Sequence, residues 1–274
     1  MNELIVILIP IGVLAAMALV CAVLLTLASH FFGVKEDEKF VAIRDALPSV
    51  NCGACGYSGC DAYAKALAEG KTVKTNLCVP GGDNASVEIA AVLGVEAEDV
   101  VEKVAYVACN GNCEATERRY QYDDVPSCRV ANLNYSGDKL CAYACLGYGD
   151  CVRICPQNAI AIENGVARID PRKCIGCGMC MRECPNNIIH LIEDTQRVAV
   201  ECSNHDKGAA VRKSCRNGCI ACGKCEKTCP EGAIKVIDNL AVIDYEKCTG
   251  CGSCVAACPV HCIHEGNYVC GAHF

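Results

Sequence analysis

Cys174-Ile-Gly-Cys177-Gly-Met-Cys180-Met-Arg-Glu-Cys184-Pro185 returns later in the chain as Cys248-Thr-Gly-Cys251-Gly-Ser-Cys254-Val-Ala-Ala-Cys258-Pro259, at an offset of 74 residues. The same offset carries Cys155-Pro156 to Cys229-Pro230, Cys151 to Cys225, Cys145 to Cys219 and Cys141 to Cys215. Between these runs Ala159, Ile160, Ile162, Ala167, Ile169 and Asp170 map onto Ala233, Ile234, Val236, Ala241, Ile243 and Asp244. The apolar alternation predicts two short strands in each copy. Asn164-Gly165 and Asp238-Asn239 between them are residue types that accept the positive φ of a tight hairpin turn. A repeat of this kind means that one small module is present twice.

Each module pairs two Cys-x2-Cys-x2-Cys-x3-Cys-Pro runs, the pattern of bacterial two-cluster ferredoxins, in which the fourth cysteine of each run ligates the other cluster. A four-thiolate zinc site uses two pairs rather than a triplet followed by Cys-Pro. The crossover rule assigns Cys219, Cys222, Cys225 and Cys258 to one cluster of the second module, and Cys229, Cys248, Cys251 and Cys254 to the other. In the first module it gives Cys155, Cys174, Cys177 and Cys180. The remaining site is irregular, because Tyr148 stands where the repeat has Cys222. Cys141 can replace it, giving Cys141, Cys145, Cys151 and Cys184 and leaving Cys215 for another site.

The 274 residues hold 28 cysteines, about a tenth of the chain, against 5% aromatics and no Trp. Large side chains for a conventional core are scarce, so metal sites should supply part of it. A net charge of −7, with 32 acidic against 25 basic residues, gives no phosphate-tracking surface, and nucleic acid is excluded as a partner. No Gly-x-Gly-x-x-Gly opens a helix after a strand, and no nucleophile–base set is present, so no catalytic site is expected. The histidines at 30, 190, 205, 261, 264 and 273 share no ligand-like spacing and read as surface residues.

From Leu4 to Ala28 no side chain is charged. At about 1.5 Å per residue this stretch exceeds the roughly 30 Å hydrocarbon core of a bilayer, and the leader Met1-Asn2-Glu3 lacks the basic start of a secretory signal. Lys35, Lys39 and Arg44 follow the apolar run while only Glu3 precedes it. The positive-inside rule therefore predicts a single pass through the cell (cytoplasmic) membrane with the bulk in the cytoplasm. That compartment is reducing, which argues against structural disulfides. The span carries no ionisable group of the kind that lines ion pathways, and Cys21 within it reads as a small apolar side chain.

Upstream of the modules, Asn51-Cys52-Gly-Ala-Cys55-Gly-Tyr-Ser-Gly-Cys60 with Cys78 forms a Cys-x2-Cys-x4-Cys-x17-Cys set. Its glycines let backbone amides wrap around a cluster. A [4Fe–4S] cluster is expected there, flanked by helices over 36–46 and 61–68. Eight cysteines remain: Cys21, Cys109, Cys113, Cys128, Cys202, Cys215, Cys262 and Cys270. Either Cys109, Cys128, Cys202 and Cys215 form a sixth site stapling the region before the modules to their junction, with Cys113 a competitor for one place, or they are buried unpaired thiols. Cys262 falls where the other copy has Ile188, which suggests an apolar role.

The order of a membrane helix, the four-cysteine domain and ferredoxin modules resembles the B subunits of the Rnf complex, over nearly the whole chain. The resemblance is carried by Asn51–Cys60 with Cys78, by Lys139-Leu-Cys141-Ala-Tyr-Ala-Cys145-Leu-Gly-Tyr-Gly-Asp-Cys151, and by Val211-Arg-Lys-Ser-Cys215-Arg-Asn-Gly-Cys219-Ile-Ala-Cys222. It implies an electron-transfer subunit of a membrane-bound, ion-translocating ferredoxin:NAD oxidoreductase. In that family reduced ferredoxin delivers electrons, and the A, C, D, E and G partners in the Rnf complex hold the flavins, the NAD site and the ion pathway. The long form with two ferredoxin modules also implies cysteine ligands at Cys109, Cys128, Cys202 and Cys215, for six [4Fe–4S] clusters in all. The rival readings are a reducing system for a redox-sensing regulator, an adaptor for a soluble dehydrogenase, and a zinc-bound scaffold without redox role. The expected architecture is α+β: a transmembrane anchor (1–32), a small helical four-cysteine domain (33–106), a first ferredoxin module with its preceding ligand segment (107–200) and a second module (201–274).

Overall fold

The computed structural model describes residues 2–32 and 37–266. Helix α1 (Asn2–Phe32) contains one stretch, Ile11–Ser29, long and apolar enough to cross a membrane. Its described side chains, Leu14, Leu19 and Leu25 among them, touch little else in the chain and are exposed. Cys21 is exposed on this helix.

Next come three helices: α2 (Glu38–Ala46), α3 (Cys60–Ala68) and, after a 3-10 turn at Val79–Gly81, α4 (Gly82–Leu93). Asp37 caps α2 by accepting from the Lys39 N–H, and α4 ends on Gly94 in the left-handed conformation. Ile43, Leu47, Tyr63, Leu67 and Ile89 make an apolar core of their own. Tyr63 is fully buried and donates its hydroxyl to the Lys74 carbonyl at 2.6 Å. The predicted helices at 36–46 and 61–68 are therefore α2 and α3.

Both ferredoxin modules have the same plan. In the first, β1 (Lys103–Val107) pairs antiparallel with β4 (Ile189–Glu193), and β2 (Ile160–Glu163) with β3 (Val166–Ile169). In the second, β5 (Val198–Val200) pairs with β8 (Ile263–Glu265), and β6 (Ile234–Ile237) with β7 (Leu240–Ile243). The hairpins turn at Asn164-Gly165 and Asp238-Asn239, and all four residues have positive φ. These are the predicted turns. β1 and β5 are the first strands paired within their modules, and they begin before the edges expected at 106/107 and 200/201. Cysteine positions alone do not reveal the strand that closes each sheet.

Four one-turn helices carry the third cysteine of each run: α6 (Asp150–Ile154), α7 (Met179–Glu183), α9 (Lys224–Thr228) and α10 (Ser253–Ala257). Each is preceded by a left-handed glycine, at 149, 178, 223 and 252, which turns the chain sharply between ligands. Each ends at the cysteine before a proline. Proline disfavours helical geometry in the preceding residue, and Cys155, Cys184, Cys229 and Cys258 are all extended, with ψ of 113°, 114°, 118° and 112°. The remaining helices are α5 (Cys128–Leu133) and α8 (Gly208–Ser214).

Candidate metal centres

The structure gathers twenty-four cysteines into six groups of four. Cys78 has Cys60, Cys55 and Cys52 as close neighbours, and burial together with these thiols raises it to about 11. Cys155, Cys174, Cys177 and Cys180 line one cavity of the first module, and Cys229, Cys248, Cys251 and Cys254 line one of the second. Cys219, Cys222 and Cys258 surround Cys225, which burial and these neighbours hold at about 11. These four groups are the ones expected from spacing.

The other two differ from expectation. One cavity is lined by Cys128, Cys145, Cys151 and Cys184, the other by Cys109, Cys141, Cys202 and Cys215. Cys128 and Cys141 have exchanged places relative to the sequence reading. The cause is a loop. Cys109 and Cys202 occupy the same place, two residues after β1 and β5, and stand 93 apart, whereas Cys141 and Cys215 stand 74 apart. The first module thus carries 19 extra residues between these two ligands, and Cys128 lies within them. Ser127 caps α5, and Asp150 fixes that cap by accepting from Ser127 Oγ and the Arg129 N–H, both at 2.9 Å. Asp150 adjoins Cys151, so the cap delivers Cys128 beside Cys151. Tyr148, which stands where Cys222 stands in the repeat, turns to Asp138 at 2.9 Å and packs with Cys128, Ala131 and Leu146.

The group Cys109, Cys141, Cys202 and Cys215 has an approximate twofold symmetry, with matched pairs from the two modules. Cys109 Sγ accepts from the Cys145 N–H and Cys202 Sγ from the Cys219 N–H, each at 3.3 Å. Asn204, buried, donates its amide to Cys141 Sγ at 3.3 Å. Around it Thr116 Oγ1 donates to the Ser214 carbonyl (2.7 Å), Arg216 N to Ala115 O (2.8 Å) and Asn217 to Asn110 O (3.0 Å). The repeat signals this symmetry in sequence, since it pairs Cys141 with Cys215.

The donor set fits an iron–sulfur cluster. Amide-to-sulfur bonds recur: Ala105 N to Cys174 (3.4 Å), Ala159 N to Cys155 (3.3 Å), Ala167 N to Cys145 (3.4 Å) and Ala233 N to Cys229 (3.3 Å). Such bonds tune cluster potentials. Burial, then neighbouring thiols, drives Cys151 and Cys180 up to about 12. Four buried thiols together would ionise only against a strong cationic centre. In four of the six groups the thiols ring a cavity, as a multi-atom cluster requires. Every described cysteine is a free thiol.

The groups follow one another in single file. Cys52 is close enough to Cys177 to affect its thiol, and Arg182 donates to the Cys52 carbonyl. Gly176, at φ 63°, lets this loop approach, since a side chain there would meet the Lys103 carbonyl. Cys180 neighbours Cys151, Cys145 touches Cys109, Cys202 touches Cys219, and α9 joins Cys225 to Cys229.

The four cysteines outside these groups behave differently from one another. Cys113 is exposed and enters none of the six. Cys270 and His273 lie outside the described residues. Cys262, expected to be merely apolar, is buried with its Sγ 3.6 Å from that of Cys258. Its thiol, hydrogen-bonded to them, favours the thiolates of Cys258 and Cys219. Replacing Cys262 with alanine removes a donor to ligand sulfur. It is expected to lower the potential of the cluster on Cys219, Cys222, Cys225 and Cys258 with iron content unchanged, read by redox titration. A potential equal to the native one refutes the donor role. At Asp150, alanine frees the Cys128 cap. Iron retention at that site against a chelator should weaken on the order of 10–100-fold, and native retention would show that Asp150 does not hold the ligand.

Three family models match the chain: the Fe-S cluster model over residues 47–80, the 4Fe-4S binding domain over 167–190 and the 4Fe-4S dicluster domain over 218–262. The chain is 43% identical to the B subunit of the Na(+)-translocating ferredoxin:NAD(+) oxidoreductase complex of Acetobacterium woodii, over 94% of this chain and 77% of that one. It belongs to this B-subunit family. The B subunit of the proton-translocating ferredoxin:NAD(+) oxidoreductase complex of Clostridium ljungdahlii is 41% identical (90% and 87% covered). That of the ion-translocating oxidoreductase complex of Methanosarcina acetivorans is 39% identical (87% and 90%). Like its family, this protein is a membrane-associated electron-transfer component with 4Fe-4S binding domains.

Proposed function

We propose that this B-type protein relays electrons from reduced ferredoxin, through six [4Fe–4S] clusters, to the flavin- and NAD-binding partners of a membrane-bound, ion-translocating ferredoxin:NAD oxidoreductase, the A, C, D, E and G components of the Rnf complex. The single file of four-thiol groups carries this reading, because it gives one continuous route among the described residues. When bound, the clusters supply one-electron transfer over a wide range of potentials. The chain's own residues hold them: Cys52, Cys55, Cys60 and Cys78; Cys155, Cys174, Cys177 and Cys180; Cys128, Cys145, Cys151 and Cys184; Cys109, Cys141, Cys202 and Cys215; Cys219, Cys222, Cys225 and Cys258; and Cys229, Cys248, Cys251 and Cys254. Backbone amides orient the sulfurs, and the apolar core shields most of them from water, Cys222 and Cys251 being exposed. Helix α1 anchors the chain by a single pass, with the modules on the cytoplasmic side where the basic residues after the span place them.

Anaerobic purification tests the reading. About 24 iron atoms per chain, with a broad visible absorbance bleached by reduced ferredoxin, supports it. Stoichiometric zinc without colour, or a reconstituted complex that forms no NADH from reduced ferredoxin and NAD⁺, overturns it.

A further inference from the structure

Lys139 is 1% exposed, among the most deeply buried large side chains of the protein. Its Nζ donates to the carbonyls of Gly111 (3.0 Å) and Gly165 (2.9 Å), and these are its hydrogen bonds among the described residues. Carbonyl dipoles do not neutralise an ammonium. The neighbouring buried carboxylate, Asp138, has its Oδ2 engaged by Arg118 and by the Tyr148 hydroxyl and its Oδ1 without a hydrogen-bond partner, yet it makes no ion pair with Lys139, and the nearby Arg119 guanidinium binds the backbone carbonyls of Lys139 and Leu140. A buried charge held without a counter-ion is strongly unfavourable.

Two sets of thiols flank this ammonium. Gly111 lies against the junction site: a Cβ built there would stand 3.4 Å from Cys109 Sγ and 3.7 Å from Cys215 Sγ. On the other side, Gly165 closes the hairpin whose Ala167 N–H binds Cys145 Sγ. Among its described residues the second module has no such group. Its repeat counterpart of Lys139 is Lys213, which is exposed, and its hairpin turn is held by exposed His205, whose Nδ1 is 3.0 Å from the Asp238 carbonyl.

We propose that Lys139 is the fixed counter-cation of the two sites it lies between, Cys128–Cys145–Cys151–Cys184 and Cys109–Cys141–Cys202–Cys215, and that its charge raises their reduction potentials. A cluster bound by four thiolates is an anion that gains one further negative charge on reduction, and a cation buried in low dielectric favours that reduced form. The step is the gain of one electron from reduced ferredoxin, which is oxidised by one. No bond forms or breaks. Lys139 is thus a positioning residue for charge, touching neither donor nor acceptor. The second module supplies a different device at the equivalent site, the Cys262 thiol.

This inference rests on the iron–sulfur reading of both sites. The test is an EPR-monitored anaerobic titration of the full-length protein, comparing native, K139Q and K139R chains, with C128S identifying the signal of the first site. With full iron, K139Q should lower the reduced-to-oxidised ratio of that site at fixed potential by about tenfold, 59 mV for one electron, and K139R should restore it. A ratio within twofold of native in fully loaded K139Q overturns the proposal. Should K139Q load iron incompletely, C113D gives an independent reading. Cys113 is exposed, and a Cβ on Gly165 would be 2.6 Å from its Sγ and 3.8 Å from Lys139 Nζ, so a carboxylate there opposes the ammonium without disturbing a ligand. C113D should lower the ratio about threefold against C113S, less than K139Q because solvent screens it. Equal ratios in those two variants overturn the proposal. Zinc in the native chain would instead overturn the iron–sulfur reading itself, so the two failures are told apart.

Discussion

Replacing Cys128 with serine is expected to remove one whole cluster, about four iron atoms per chain, and to interrupt the route from Cys180 to Cys109. Electron transfer through the assembled complex should fall further than the 10–100-fold typical of losing a group that merely supports a ligand. The informative comparison is C141S. It should also cost about four iron atoms, but from the site that joins the modules, so the two variants lose different EPR signals and C145S loses the same signal as C128S. The assignment suggested by spacing, with Cys141 beside Cys145, predicts the opposite pairing of signals. Agreement between C141S and C145S would refute the grouping seen in the structure.

Stripping the iron anaerobically with a chelator is expected to unfold both ferredoxin modules while sparing the helical domain before them. The asymmetry follows from the two kinds of core. Residues 37–100 pack Ile43, Leu47, Tyr63, Leu67 and Ile89 against one another, with only Cys60 and Cys78 among the buried side chains of that cluster. The core of the first module draws on Cys109, Cys141, Cys145, Cys151, Cys180 and Cys215 beside the small aliphatic side chains of its short strands. That of the second draws on Cys202, Cys219, Cys225, Cys254, Cys258 and Cys262. Without metal these thiols leave voids, and two-stranded ribbons do not stand alone in water. Hydrogen exchange read by mass spectrometry should therefore show full exchange over β1 to β8 and retained protection over α3 and α4. Protected hairpins in the metal-free protein would show that the modules have a core independent of iron.

Much of this was legible in the residues. The repeat pointed to the hairpins, because Asn164-Gly165 and Asp238-Asn239 allow few other conformations, and to three of the four-cysteine groups, because Cys-x2-Cys-x2-Cys gathers thiols locally; the group of Cys52, Cys55, Cys60 and Cys78 was read from its own spacing. The partners of Cys128 and Cys141 were not legible. Both choices satisfy the count of four, and the difference lies in where a loop folds, which Asp150 and Ser127 decide through bonds that no spacing reveals. Strand pairing was missed at β1 and β5 for a similar reason: each closes a sheet with a strand some 65 to 90 residues away, beyond any local pattern. The role of Cys262 was hidden by its repeat partner Ile188. The two side chains fill the same space, but only one can donate a hydrogen bond.

The junction of the modules has a consequence for assembly. Cys109 and Cys141 come from one copy, Cys202 and Cys215 from the other, so neither copy can complete that centre by itself. A chain severed between β4 and β5 would yield two halves, each able to fill its own sites and each left with two orphan thiols. Iron would be the keystone that lets such fragments complement one another. Metal starvation would open the protein first at this seam, where half of each ligand set must arrive from the neighbouring module.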